Sequence, residues 1–267
     1  MTTFQQRFLT TIVLLPSVLL AIYYAPSWLL AGILLALVAL SSWEWMKLIP
    51  LQRLEGKLLY LLALLGCIGI SSHWATYCLC ISLAAWVFIL YAVICYPASQ
   101  QYWGYATVVG AAGLLFLSVF CSVFVGLYQS DQGQHVIVYV LFLIWATDIG
   151  AYLVGKQWGT HKMIPQVSPG KTIEGTMGGI LAGMVVAGVG YAVFQPQSAW
   201  LWFLVALMTV LIAVLGDLSM SMLKRRSHVK DSGQVLPGHG GILDRLDSAF
   251  AALPLFYFAL SFLGVLR

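Results

Sequence analysis

Charge is scarce in this chain: Asp, Glu, Lys and Arg make up 8% of its 267 residues, and none of the four occurs from Leu58 to Ser130. A soluble domain of this size carries roughly a quarter of its residues charged, so a water-soluble globule is excluded. Also lacking are a CxxC pair, a His at ligand spacing from a cysteine, and a small-x-small cleavage site behind the first apolar run. Cys67, Cys78, Cys80, Cys95 and Cys121 are scattered through apolar stretches, which argues for packing and against a disulfide framework or a zinc site. Without a cleavage signal, the run behind Arg7 is expected to remain as a membrane helix. The net charge of +4 forms no basic stripe, which argues against a nucleic-acid partner.

What is abundant is apolar sequence, at 61% of residues. A hydrocarbon core about 30 Å thick takes about 20 residues per helical crossing. Apolar runs near 8–24, 27–46, 57–72, 75–96, 104–128, 135–155, 175–194, 200–218 and 248–266 predict an all-α polytopic bundle of about nine transmembrane helices in a lipid bilayer. If the runs alternate in direction, Arg7, Lys47, Arg53, Lys57, Lys156, Lys162, Lys171, Lys224, Arg225, Arg226, Lys230 and Arg245 fall on one face and Arg267 on the other. The positive-inside rule makes the shared face cytoplasmic and places the N-terminus there.

Six of the nine acidic residues and eight of the thirteen basic ones lie in 148–247. This divides the chain into a transmembrane scaffold, 1–134, and a catalytic transmembrane region, 135–267, with cytoplasmic loops expected at 155–174 and 217–247. Asp148 interrupts the apolar run VYVLFLIWATDIGAYLVG, where an acid is costly unless it faces protein, a cation or water. Asp217, Ser221 and Lys224 are spaced i, i+4 and i+7, which puts them on one helical face; Asp244 and Asp247 are i and i+3. The helix dipole accounts for one acid at a helix start, not for three that converge.

Three carboxylates among Lys224, Arg225, Lys230 and Arg245 suit Mg²⁺ together with a polyphosphate, because Mg²⁺ is held by one or two carboxylates and completed by phosphate oxygens and water. Pro237-Gly238-His239-Gly240-Gly241 lies between these charges, where glycine lets backbone N–H groups approach phosphate oxygens. Gly170-Lys171-Thr172 looks like the end of a P-loop, but Pro165 stands where that loop needs its first glycine. Gly175, Gly179 and Gly183 are spaced as a close helix-packing face.

From Ser221 to Asp247 the pattern S-M-L-K-R-x4-K-D-S-G-x2-L-P-G-H-G-G-I-L-D-R-L-D resembles, position for position, the signature of the phosphatidate cytidylyltransferases. W-A-T-D-I-G-A-Y-L-V-G at 145–155 and S-P-G-K-T-I-E-G at 168–175 look like two further blocks of that family, although Gly170 stands where many relatives carry Lys and Ile173 where many carry Trp. The resemblance implies an enzyme working at the cytoplasmic face of the membrane, joining CTP to phosphatidic acid to give CDP-diacylglycerol and pyrophosphate; the compact length, with no long soluble N-terminal region, fits a bacterial inner-membrane enzyme. The resemblance also suggests a homodimer, which no residue pattern here demands.

On this reading Asp217, Asp244 and Asp247 take one or two divalent cations, with Asp148 and Asp231 as second-rank candidates. Lys171, Lys224, Arg225, Lys230 and Arg245 contact phosphates, while Ser168, Thr172, Glu174, Ser221, His239, Gly240 and Gly241 shape the substrate site. A nucleotidyl intermediate on His239 is the less economical route, since direct attack needs no covalent step. Two rivals remain: a CTP-dependent polyprenol kinase, which transfers the terminal phosphoryl group instead, and a membrane transporter with Asp148 as its ion site.

Overall fold

The computed structural model describes residues 3–51, 53–233 and 240–264. Ten α-helices form among them: α1 (Thr3–Tyr24), α2 (Ser27–Trp45), α3 (Leu54–His73), α4 (Ala75–Ile94), the single turn α5 (Gln100–Trp103), α6 (Ala106–Gln129), α7 (Gly133–Trp158), α8 (Ile173–Phe194), α9 (Ala199–Arg226) and α10 (Leu243–Leu263). Each of the nine apolar runs coincides with one long helix. Among the described residues seven of these, α2, α3, α4, α6, α7, α8 and α9, are long and apolar enough to cross a membrane, while the apolar part of α1, Ile12–Tyr24, is shorter. Helix α10 lies at the centre, with Phe250, Ala251, Ala252, Leu253 and Phe256 buried and α9, α6, α7, α4 and α2 packed around it.

Helix α8 shows how the sequence sorts its faces. Met177, Leu181, Val185, Val189 and Val193 recur every fourth residue and are exposed, a stripe fit for lipid contact. The opposite face is glycine. A methyl group on Gly175 would meet the Ala151 carbonyl at 2.8 Å, and one on Gly179 the Thr147 carbonyl at 2.6 Å, so α8 lies backbone to backbone on α7. A methyl on Gly183 would strike Val210 of α9 at 2.6 Å, which places α9 in the same layer.

Two features depart from expectation. The segment 155–174 is not simply a loop: α7 continues to Trp158, and Lys162–Ile164 (β1) pairs antiparallel with Ser168–Thr172 (β2). The Thr172 hydroxyl then accepts a hydrogen bond from the Gly175 N–H at 3.1 Å and caps α8. Nor is 217–247 one loop, because α9 runs on to Arg226 and leaves 227–242 as the connection. Lys224, Arg225 and Arg226 at its last turn complement the carbonyl end of the helix dipole, so the helix outlasts its apolar run.

The end of α9 gathers neighbouring chain ends. Arg226 donates from Nε to the Gly104 carbonyl at 2.7 Å and from Nη1 to the Leu48 carbonyl at 2.8 Å; Arg225 Nε donates to the Val167 carbonyl at 3.2 Å. The C-terminal ends of α2 and α9, the start of α6 and the hairpin therefore share one end of the bundle. That is where Lys47, Lys162, Lys171 and Lys224 stand.

Candidate active site

Helices α9 and α10 touch at Gly216, where a methyl group would meet the Asp247 carbonyl at 2.5 Å and the Ser248 Cα at 3.0 Å. This contact brings Asp217, the next residue on α9, beside Asp247. Asp217 and Asp148 both lie near enough to act electrostatically on Asp247, whose side chain accepts the Ser248 N–H at 2.8 Å. Lys171, near the end of β2, reaches across to Asp217 Oδ2 at 2.7 Å. Two helical turns beyond Asp217, Lys224 pairs with Asp244 Oδ1 at 2.6 Å. The other oxygen of Asp244 accepts from the Ser232 N–H at 2.9 Å and the Ser232 hydroxyl at 2.8 Å.

These groups line a cavity of about 600 Å³ between α7, the hairpin, α8, α9 and α10. Asp148, Asp217, Asp231, Asp244 and Asp247 face it together with Lys156, Lys171, Lys224 and Arg245. Asp148, inside the apolar middle stretch of α7, thus borders this polar space. Five acids and four bases in one cleft suit a ligand with several negative charges and a counter-cation. Lys171 and Lys224 are poised at its wall by the carboxylates they pair with.

Thr172 also lines the cavity, whereas Ser168, Glu174, Ser221, Arg225 and Lys230 stand outside its lining. Ser168 pairs with Ile164 in the hairpin. Glu174 accepts from the Thr160 hydroxyl at 2.8 Å and lies 2.6 Å from His161 Nδ1, which clamps the hairpin to α8. Ser221 is 3.5 Å from Asp217 Oδ1, and Lys230 is exposed. Gly240 adopts φ +83°, the left-handed conformation that glycine permits, near Asp244. Gly241 packs on Ser232 and Glu44, and its N–H points at Asp244 Oδ2 at 3.4 Å, so its missing side chain makes room for protein. His239 lies outside the described residues.

The spacing predicts convergence of Asp217, Asp244 and Asp247, and the structure brings all three to one cavity. Among the described residues, however, no group of three or more His, Cys, Asp or Glu side chains is gathered as a ready-made metal cage. The reason is that Asp244 is turned to Lys224 and Ser232. A residue overlooked in the sequence is Glu44, fully buried on α2, whose Oε2 accepts the Leu243 N–H at 2.8 Å. Its signal was there: a lone acid in the run S-S-W-E-W-M.

Fold and site together define a polytopic membrane protein with a phosphate-suited, charge-lined cleft at one end of its bundle. The chain belongs to the Cytidylyltransferase family, which it matches over residues 5–263, and it is an enzyme. It is 37% identical to a phosphatidate cytidylyltransferase of Pseudomonas aeruginosa, over 94% of this chain and 95% of that one. The corresponding protein of Haemophilus influenzae is 33% identical over 94% and 96%. That of Bacillus subtilis is 46% identical across 52% of each chain.

Proposed function

We propose that this enzyme transfers the cytidylyl group of CTP to phosphatidic acid, releasing pyrophosphate and forming CDP-diacylglycerol for phospholipid synthesis. The observation that carries the reading is the cleft in which Lys171, Asp217, Lys224, Asp244 and Asp247 meet from three elements. A lipid phosphate monoester, with a second pKa of about 6, is already largely dianionic near neutrality. Its oxygen attacks the α-phosphorus of CTP, the new P–O bond forms as the bond to the β-phosphate oxygen breaks, and pyrophosphate leaves with that electron pair. No general base is needed, so the protein's task is to align two anions and offset their repulsion.

Lys171 and Lys224 serve as point charges for the phosphates, and Arg245 adds a bidentate donor at the same wall. Asp217 and Asp247 fit a divalent cation, with Asp148 and Asp244 in reach of the same cleft, because Mg²⁺ asks the protein for only one or two carboxylates. Bound there, Mg²⁺ would supply charge neutralisation for phosphate oxygens. The concentration of basic residues at this end supports a site facing the cytoplasm from a bacterial inner membrane, on the side where CTP is found.

The test is pyrophosphate release by the purified protein on adding CTP, Mg²⁺ and phosphatidic acid in detergent. Release that requires the lipid, with a CDP-lipid as co-product, is the expected result. CDP with a newly phosphorylated lipid alcohol, or no turnover at all, would contradict it.

A further inference from the structure

Among the described residues, those lining the charged cleft come from 147–248, yet one side chain from the first helices reaches the segment that builds it. Glu44 on α2 has no exposed surface. Burying a carboxylate is unfavourable unless hydrogen bonds replace its water, so its partners show what it is kept for. Oε2 accepts the backbone N–H of Leu243, the first residue of α10, which is one of the helix-start donors left unsatisfied within the helix. The same oxygen lies 3.1 Å from the Ser232 hydroxyl, which is also 2.8 Å from Asp244 Oδ2. A hydroxyl has one proton and can donate it to one carboxylate at a time, so Ser232 couples Glu44 to Asp244.

The surrounding backbone is shaped to this carboxylate. A methyl group on Gly233 or on Gly241 would overlap Glu44, and both glycines belong to the connection that leads into α10. Oε1 is buried with no hydrogen-bond partner among the described residues, and the methyl group on Gly233 would fall on it. Glu44 thus fixes where α10 begins and leaves no room for a side chain at Gly233 or Gly241. Asp244 lies on that first turn and Asp247 one turn further on.

We infer that Glu44 is a positioning residue for the catalytic cleft, acting through Leu243 and Ser232 to hold Asp244 in the orientation in which it takes Lys224. This rests on the reading of the cleft as the site of cytidylyl transfer. Glu44 touches no substrate on this account; its carboxylate sets the register of the wall that does.

The experiment uses the full-length protein in detergent with CTP and phosphatidic acid, recording kcat, KM for CTP and the melting temperature of wild type, Glu44→Ala, Glu44→Gln, Ser232→Ala, Asp244→Glu and the double variants with Asp244→Glu. Glu44→Ala is expected to lower kcat about 30-fold and KM for CTP by less than about threefold in either direction, with Ser232→Ala lowering kcat about tenfold. Glu44→Gln, whose amide oxygen can accept the Leu243 N–H in the same place, recovers to within about fivefold of wild type. On an Asp244→Glu background, Glu44→Ala or Ser232→Ala costs less than about twofold more, because the orientation they maintain is already lost.

If Glu44→Ala does not fold, Ser232→Ala and its double variant carry the same test. Unchanged kcat per folded molecule, or losses that multiply in the double variants, would overturn the inference while leaving wild-type turnover intact. A wild type without CTP-dependent turnover would overturn the reading beneath it as well.

Discussion

Helix α9 separates two cavities of opposite chemistry. On one face Val214, Asp217 and Lys224 border the charged cleft of about 600 Å³; on the other, Met220, Met222 and Leu223 border an apolar cavity of about 370 Å³ lined also by Trp45, Trp86, Trp103 and Phe116. The two faces belong to the same turns of one helix, and Asp247 on α10 borders both spaces. The larger cavity is also the charged one, and its charge is what suits it to an anionic nucleotide. The polar cleft supplies paired charges that a phosphate can exchange for, whereas the apolar one would leave any buried charge without a partner.

The contrast is broken most severely by removing charge from the polar face. Asp247→Asn is expected to lower turnover by on the order of a thousandfold while the bundle keeps its helical circular dichroism and melting behaviour. A drop below tenfold would deny the cleft its role. Next in size, Lys224→Ala should cut kcat/KM for CTP by about a hundredfold and also lower the melting temperature, since Asp244 is left half-buried without its cation. Both effects are read by pyrophosphate release alongside a thermal melt.

On the opposite face the order of effects should reverse. Met222→Ala, two residues before Lys224, removes buried contacts worth about 2 kcal/mol and so lowers the melting temperature, with turnover per folded molecule within about threefold of wild type. A Met222 variant that lost activity without losing stability would show that the apolar cavity takes part in the reaction. Smallest of all, Lys47→Ala alters an exposed cation outside the cleft and should leave kcat within about twofold.

The apolar helices and the charged residues of the cleft are legible in the sequence because both leave local marks. Helical spacing of Asp217 and Lys224 already put them on one face, and an acid at 148 inside an apolar run already pointed to a polar space. The hairpin 162–172 was not legible: its strands are short, and Pro169 within S-P-G-K-T is a weak strand signal that suits an edge position. The extent of α9 was misjudged because charge was read as the end of a helix, although basic residues favour a helix C-terminus.

Glu44 went unnoticed for a different reason, since its partners Ser232 and Leu243 are 188 and 199 residues away. The turning of Asp244 toward Lys224 and Ser232, in place of a three-carboxylate cage, likewise depends on contacts that spacing cannot show. Local pattern identified which residues carry charge; long-range packing decided what each charge faces.

The most direct test follows each phosphate of CTP separately through the purified enzyme, using radiolabel at the α- or the γ-position with phosphatidic acid as acceptor. Cytidylyl transfer predicts that α-label enters the chloroform-soluble product while γ-label leaves as pyrophosphate. Label from the γ-position in the lipid, or from neither position, would contradict the proposed reaction.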